Sequence, residues 1–149
     1  MKADKTATRI LEDVNVNLKI KLSALWVTLL LFYIYADILG FYTPGNIEQV
    51  VSGEIEGIQI THGFLFVMAI WMAIPSVMVF LSLMLKANAN RLVNIILGIV
   101  SIGALGGTLF IGEISARYMF QAIVEGVLIA LIVWYAWKWP EQKRVDITP

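Results

Sequence analysis

Apolar residues fill four stretches of this chain, at 22–42, 61–85, 92–112 and 118–139, with few polar positions inside any of them. A helix rises about 1.5 Å per residue, so roughly 20 residues cross the hydrocarbon of a bilayer. Each stretch has that length. Packed as the core of a water-soluble domain, four such helices would leave almost no polar outer face. The pattern therefore predicts an all-α fold, a left-handed four-helix transmembrane bundle occupying 22–139. The short connections at 86–91 and 113–117 predict that the second, third and fourth helices are antiparallel neighbours.

The flanking segments carry weaker patterns. Val14 to Lys21 alternates apolar and polar with period two, as a strand does, but Ile10, Val14 and Leu18 also share a helical face. A lone strand has no pairing partner, so residues 1–21 read as an amphipathic juxtamembrane segment. In the loop at 43–60, Thr43-Pro44 has the form of a helix cap followed by proline, and Gly53 that of a helix stop. A short interfacial helix is expected there, with Ile47, Val50 and Val51 towards the membrane.

Charge orients the bundle. Of the 11 basic residues, all but Arg117 fall on one side of the expected spans: Lys2, Lys5, Arg9, Lys19, Lys21, Lys86, Arg91, Lys138, Lys143 and Arg144. By the positive-inside rule both termini, including the tail at 140–149, are cytoplasmic. No A-x-A-like cleavage site follows the first span, which reads as an uncleaved anchor. Trp26, Trp134, Trp137 and Trp139 fall near the same boundary, where interfacial anchors belong. The expected location is a cell membrane, the inner membrane if the source is bacterial.

Composition narrows the chemistry. A mean hydropathy of +0.79 is far above that of a soluble domain. Zero net charge gives no hint of nucleic-acid binding and the basic residues are not clustered on any soluble element, so no nucleic-acid partner is expected. There is no cysteine, and a single histidine cannot build a multi-histidine metal or haem site. No phosphate loop, H-E-x-x-H or readable nucleophile–base pair is present, so no cofactor or metal is expected and the chain points away from an enzyme.

Two acids remain inside the spans. Asp37 lies about five residues from the outer end of the first, and Glu125 about seven from the outer end of the fourth, so both occupy the outer half at similar depth. Tyr33 is one turn below Asp37 on the same face, Gln121 one turn above Glu125, and His62 begins the second span. Asp37, Glu125, Tyr33, Gln121 and His62 are the candidate polar pocket, with Glu113 and Arg117 at its rim. A charged acid at mid-span costs about 2.5–3.5 kcal/mol, which disfavours a lipid-facing Glu125. Two readings stand side by side. The acids accept a proton or a cation, or they are held by hydrogen bonds to Tyr, His or Gln across helices. His62 reads as a cap or surface residue, and Arg117 as a topological exception or a partner for Glu113.

The third span carries Gly103 and Gly107, and the second Ala69 and Ala73, small-residue ridges that let another helix approach. Packing within the chain is the default; a second copy or a membrane partner protein is the alternative. Pro75 removes a backbone bond in mid-span and predicts a kink. Asn94 is expected to bond a neighbouring helix. The methionines do not collect on one face and read as packing residues.

The segments Tyr33-Ile34-Tyr35-Ala36-Asp37-Ile38, Tyr42-Thr43-Pro44-Gly45, Met72-Ala73-Ile74-Pro75-Ser76-Val77-Met78 and Asn90-Arg91-Leu92-Val93-Asn94 resemble a family of uncharacterised bacterial four-helix membrane proteins. The resemblance spans 19–139 and implies no activity. More distantly the architecture is similar to DoxX-like proteins, which implies respiratory or redox partners. In size the chain is similar to small multidrug carriers, which use a carboxylate in their first helix. Asp37 matches that feature, while the residues around it depart from the carriers' pattern. Two functions follow as expectations: a proton-linked carrier or ligand-binding protein using intramembrane carboxylates, or a non-catalytic accessory or assembly subunit.

Overall fold

The computed structural model describes residues 14–55, 57–108 and 115–140. Five helices and one two-stranded hairpin make up the described fold: α1 Leu18–Phe41, α2 Asn46–Ser52, β1 Glu54–Ile55, β2 Ile58–Gln59, α3 His62–Met84, α4 Ala87–Thr108 and α5 Ala116–Trp137. Of these, α1, α3, α4 and α5 are long and apolar enough to cross a membrane. Large apolar side chains such as Phe66, Val67, Phe120 and Ile123 are more than half exposed on their outer faces. A surface this apolar suits lipid and not water.

The caps explain where the helices start. The Asn17 side chain accepts from Lys19 N at 2.9 Å, so α1 begins at Leu18, and residues 14–17 form neither strand nor helix. Thr61 caps α3 by accepting from Phe64 N, and Ser115 caps α5 by accepting from Tyr118 N. The rest of the juxtamembrane segment and the tail beyond Pro140 lie outside the described residues.

The short helix in the loop exists, and Gly53 ends it in a left-handed conformation, φ 86°. Its start differs from expectation. Gly45, also left-handed at φ 88°, is the N-cap in place of Thr43, whose carbonyl instead accepts from Asn46 N in the preceding turn. The hairpin that follows was not expected. Glu54 pairs with Gln59 and Ile55 with Ile58, and Gly57 at φ 80° supplies the positive angle a two-residue turn requires.

Helix alternation puts the starts of α1 and α4 and the ends of α3 and α5 together. Lys19, Lys21, Lys86, Arg91 and Lys138 cluster there, and we call this the basic end; α2 and the strands mark the hairpin end. Among the described residues all the fully buried apolar positions lie towards the basic end: Leu22, Trp26 and Leu29 on α1, Met78 on α3, and Ile129, Ile132 and Ala136 on α5. From Leu29 outward on α1 and from Ile129 outward on α5 no further described residue is fully buried. The bundle is closed at one end and loose at the other.

Packing follows unequal partnerships. α1 lies along α3 and α5, α4 lies along α5, and α3 meets α4 only sparingly. The expectation that the second and third spans pack as neighbours is thus corrected. Their link is only Leu85 and Lys86, which ties two ends without aligning two lengths. What sets each helix's course is its other partner. Ser23 Oγ donates to the Val79 carbonyl at 2.8 Å and holds α1 to α3. At Gly98 the α4 backbone comes so near Val133 of α5 that a β-carbon there would collide with its methyl. α3 runs unbroken through the buried Pro75.

Candidate functional site

The closest polar contact across helices in the looser half joins two of the expected residues. Tyr33 on α1 donates its phenolic O–H to Glu125 Oε1 on α5 at 2.6 Å, and both side chains are half-buried. Helical spacing explains the meeting. Tyr33 stands one turn beyond buried Leu29 and Glu125 one turn beyond buried Ile129, so the faces that form the core continue outward and carry the pair with them. The short bond has the length of an O–H···O contact to a carboxylate.

One further turn outward the sequence places Asp37 on α1 and Gln121 on α5. Asp37 is exposed, and no described hydrogen bond joins it to Glu125. The two acids share a face direction but occupy successive levels, because it is Tyr33 that spans the gap at the level of Glu125. Gln121 accepts from Arg117 Nη1 at 3.0 Å along its own helix, and Arg117 is exposed at the start of α5. Arg117 thus bonds Gln121; its other expected partner, Glu113, lies outside the described residues. The other rim contact is Tyr118 O–H to Thr108 Oγ1 at 2.7 Å, joining α5 to the end of α4.

His62 is exposed at the first residue of α3, where Thr61 and not His62 is the cap. Nothing in the described contacts brings His62 to Glu125. The assembled group is thus Tyr33 and Glu125 in contact, with Asp37, Gln121 and Arg117 leading from them to the hairpin end. Among the described residues no cluster of three or more His, Asp or Glu side chains could hold a metal ion.

A second polar group sits at the opposite end and is sealed. Trp26 Nε1 donates to Asn94 Oδ1 at 2.7 Å, Asn94 Nδ2 donates to Asn90 Oδ1 at 2.7 Å and to the Asn90 carbonyl at 2.8 Å, and Asn90 Nδ2 donates to the Ser82 carbonyl at 2.5 Å. Trp26, Asn90, Asn94 and Ser82 are all essentially unexposed. Asn94 does bond a neighbouring helix. Trp26 is corrected: it is a buried donor, not an interfacial anchor, because Asn94 offers its indole N–H a partner inside the bundle. Trp134 and Trp137 do stand exposed near the basic end, with Lys138 Nζ 3.9 Å above the Trp134 ring. Asn90 was missed, although its spacing of four from Asn94 marks a shared helical face.

The glycine ridge is also corrected. A β-carbon at Gly103 or Gly107 would meet no described atom within 4 Å, so neither glycine serves close packing among the described residues. Gly98 does that work, on the side of α4 that faces α5. Ala69 and Ala73 are exposed. Ala73 borders an apolar groove of about 310 Å³ between α3 and α4, whose walls include Ile70, Val77 and Leu81 on one side and Val93 and Leu97 on the other.

A model of a family of unknown function, DUF6326, matches residues 9–146. No curated protein and no solved structure matches the chain.

Proposed function

The chain belongs to the DUF6326 family, a family of unknown function, and on that footing we propose that it is a small membrane carrier or ligand-binding protein whose acceptor for a proton or cation is Glu125. The observation that carries this reading is the 2.6 Å bond from Tyr33 to Glu125, placed where the closed core ends and the looser half begins. A group that serves only to lock helices needs no approach from outside, as the sealed amide of Asn94 shows. At Glu125 a ligand can approach from the hairpin end past Asp37 and Gln121. Tyr33 holds the carboxylate in place until a cation or proton competes for it.

In this reading the basic end faces the cytoplasm of a cell, by the positive-inside rule, and the hairpin end faces outward. Exposed Trp134 and Trp137 support an interfacial level for that end, on either side of the membrane.

Binding of tetraphenylphosphonium, a lipophilic cation, to the purified protein in detergent tests the proposal. Glu125→Gln should weaken it by about tenfold or more, as loss of a charge partner outside bulk water requires, while Tyr33→Phe keeps the carboxylate and should retain binding. Equal binding by wild type and Glu125→Gln, or none by wild type, would count against the carrier reading.

Gly103 and Gly107, small and unpacked within the chain, favour a second reading, a non-catalytic accessory or assembly subunit that docks α4 on another membrane helix. Under it, Gly103→Leu would abolish recovery of the partner or of a second copy, and Glu125→Gln would not.

A further inference from the structure

The α3–α4 groove is independent of the Tyr33–Glu125 pair, and its walls and its mouth differ in chemistry. Ile70, Ala73, Val77 and Leu81 of α3 face Val93 and Leu97 of α4, and the lining exposes almost no polar surface. No other described helix closes the gap, because α1 holds α3 and α5 holds α4. In a bilayer such an apolar slot is filled by hydrocarbon.

The mouth at the basic end is positive. Lys86 forms the link between the two walls and is exposed. Its carbonyl accepts from Asn90 N, which makes it the residue before the first turn of α4, seven positions ahead of Val93 and so in register with the groove face. Lys19 Nζ donates to the Leu83 carbonyl at 3.3 Å and brings a second cation to the end of α3. The N-terminus of α4 adds the positive end of its dipole. All the described carboxylates, Asp37, Glu48, Glu54 and Glu125, are away from this end.

We propose that the α3–α4 groove is a binding site for an anionic phospholipid of the adjoining leaflet, one acyl chain lying between Ala73, Val77 and Leu97 and the phosphate at Lys86 and the start of α4. Basic mouths between membrane helices suit anionic headgroups, each Lys or Arg adding to the attraction. A zwitterionic lipid fits the slot equally well and lacks the net charge, so headgroup preference is the signature.

Native mass spectrometry of the full chain released from an equimolar phosphatidylglycerol and phosphatidylcholine bilayer reads that signature. Wild type should retain phosphatidylglycerol about fivefold over phosphatidylcholine. Lys86→Gln should bring the ratio close to one, and Ala73→Phe, which fills the slot from an exposed position, should lose retained lipid of both kinds. Ile123→Phe, on the exposed face of α5, is the control for added bulk and should behave as wild type. Equal retention of the two lipids by wild type, an unchanged ratio in Lys86→Gln, or undiminished retention in Ala73→Phe would each overturn the assignment. So would a dimer that Ala73→Phe dissociates, since the groove would then hold a second copy.

Discussion

Single residues with the same polarity take opposite roles in this bundle, and their neighbours decide which. Asn94 and Glu125 are both polar, both inside spans and both bonded to an aromatic residue of α1. Asn94 is sealed, and its Oδ1 has Trp26 Nε1 as its cross-helix donor. Hydrogen bonds between membrane helices average about 0.6 kcal/mol, but a buried acceptor left unmet costs about 1–3 kcal/mol. The second term governs here, because no water reaches Asn94. Trp26→Phe should therefore lower stability by about 1–2 kcal/mol, measured as a drop in the thermal unfolding midpoint in detergent. Trp26→Phe combined with Asn94→Leu should cost less than the sum of the two single losses, and strictly additive losses would contradict the network. Ser82→Ala should be close to neutral, since the buried Ser82 Oγ bonds no described group.

This is also where the sequence was least legible. Depth along a helix is a local property, so Tyr33, Asp37, Gln121 and Glu125 could be placed at the right levels from spacing alone. Which of them touch depends on how α1 crosses α5, and that is fixed by the packing of Leu29 and Ile129. Asp37 was grouped with Glu125 by depth, yet Tyr33 is the residue that reaches it. Trp26 was read as an anchor because tryptophan near a span end usually is one; its partner lies 68 positions away.

Among the elements, the spans themselves were legible because hydrophobic length needs no tertiary information. The hairpin was also within reach: Gly57 stands between Ile55 and Ile58 in an alternating run, a turn signal obscured by the helix expected just before it. The splay of α3 from α4 was not. A two-residue link suggests close neighbours, and only the separate attachments to α1 and α5 part them. Glycine spacing misled for a related reason, since small residues show where a helix can approach and not where it does. Two substitutions separate these cases. Gly98→Ala places a methyl against Val133, a β-branched residue with one favoured rotamer in a helix, and should destabilise by about 1–3 kcal/mol. Gly103→Ala meets open space and should cost nothing in the isolated protein. Thermal unfolding of the two variants side by side checks this. Equal losses would mean that the α4 face has been misassigned.

At the scale of the whole molecule the bundle is asymmetric along its length. The basic end has a dry core with a bonded polar network, and the hairpin half has a polar pair, a rim and, among the described residues, none fully buried beyond it. The absence of cysteine allows that division to be measured directly, because each introduced thiol is the only one present. Single substitutions Leu29→Cys, Asp37→Cys, Gln121→Cys and Ile129→Cys, reconstituted and challenged with a membrane-impermeant thiol reagent, sample both sides of the Tyr33–Glu125 level. Rapid labelling at positions 37 and 121, with protection at 29 and 129, is the predicted result. Protection at 37 and 121 would mean that no aqueous approach to Glu125 exists, and would contradict the account.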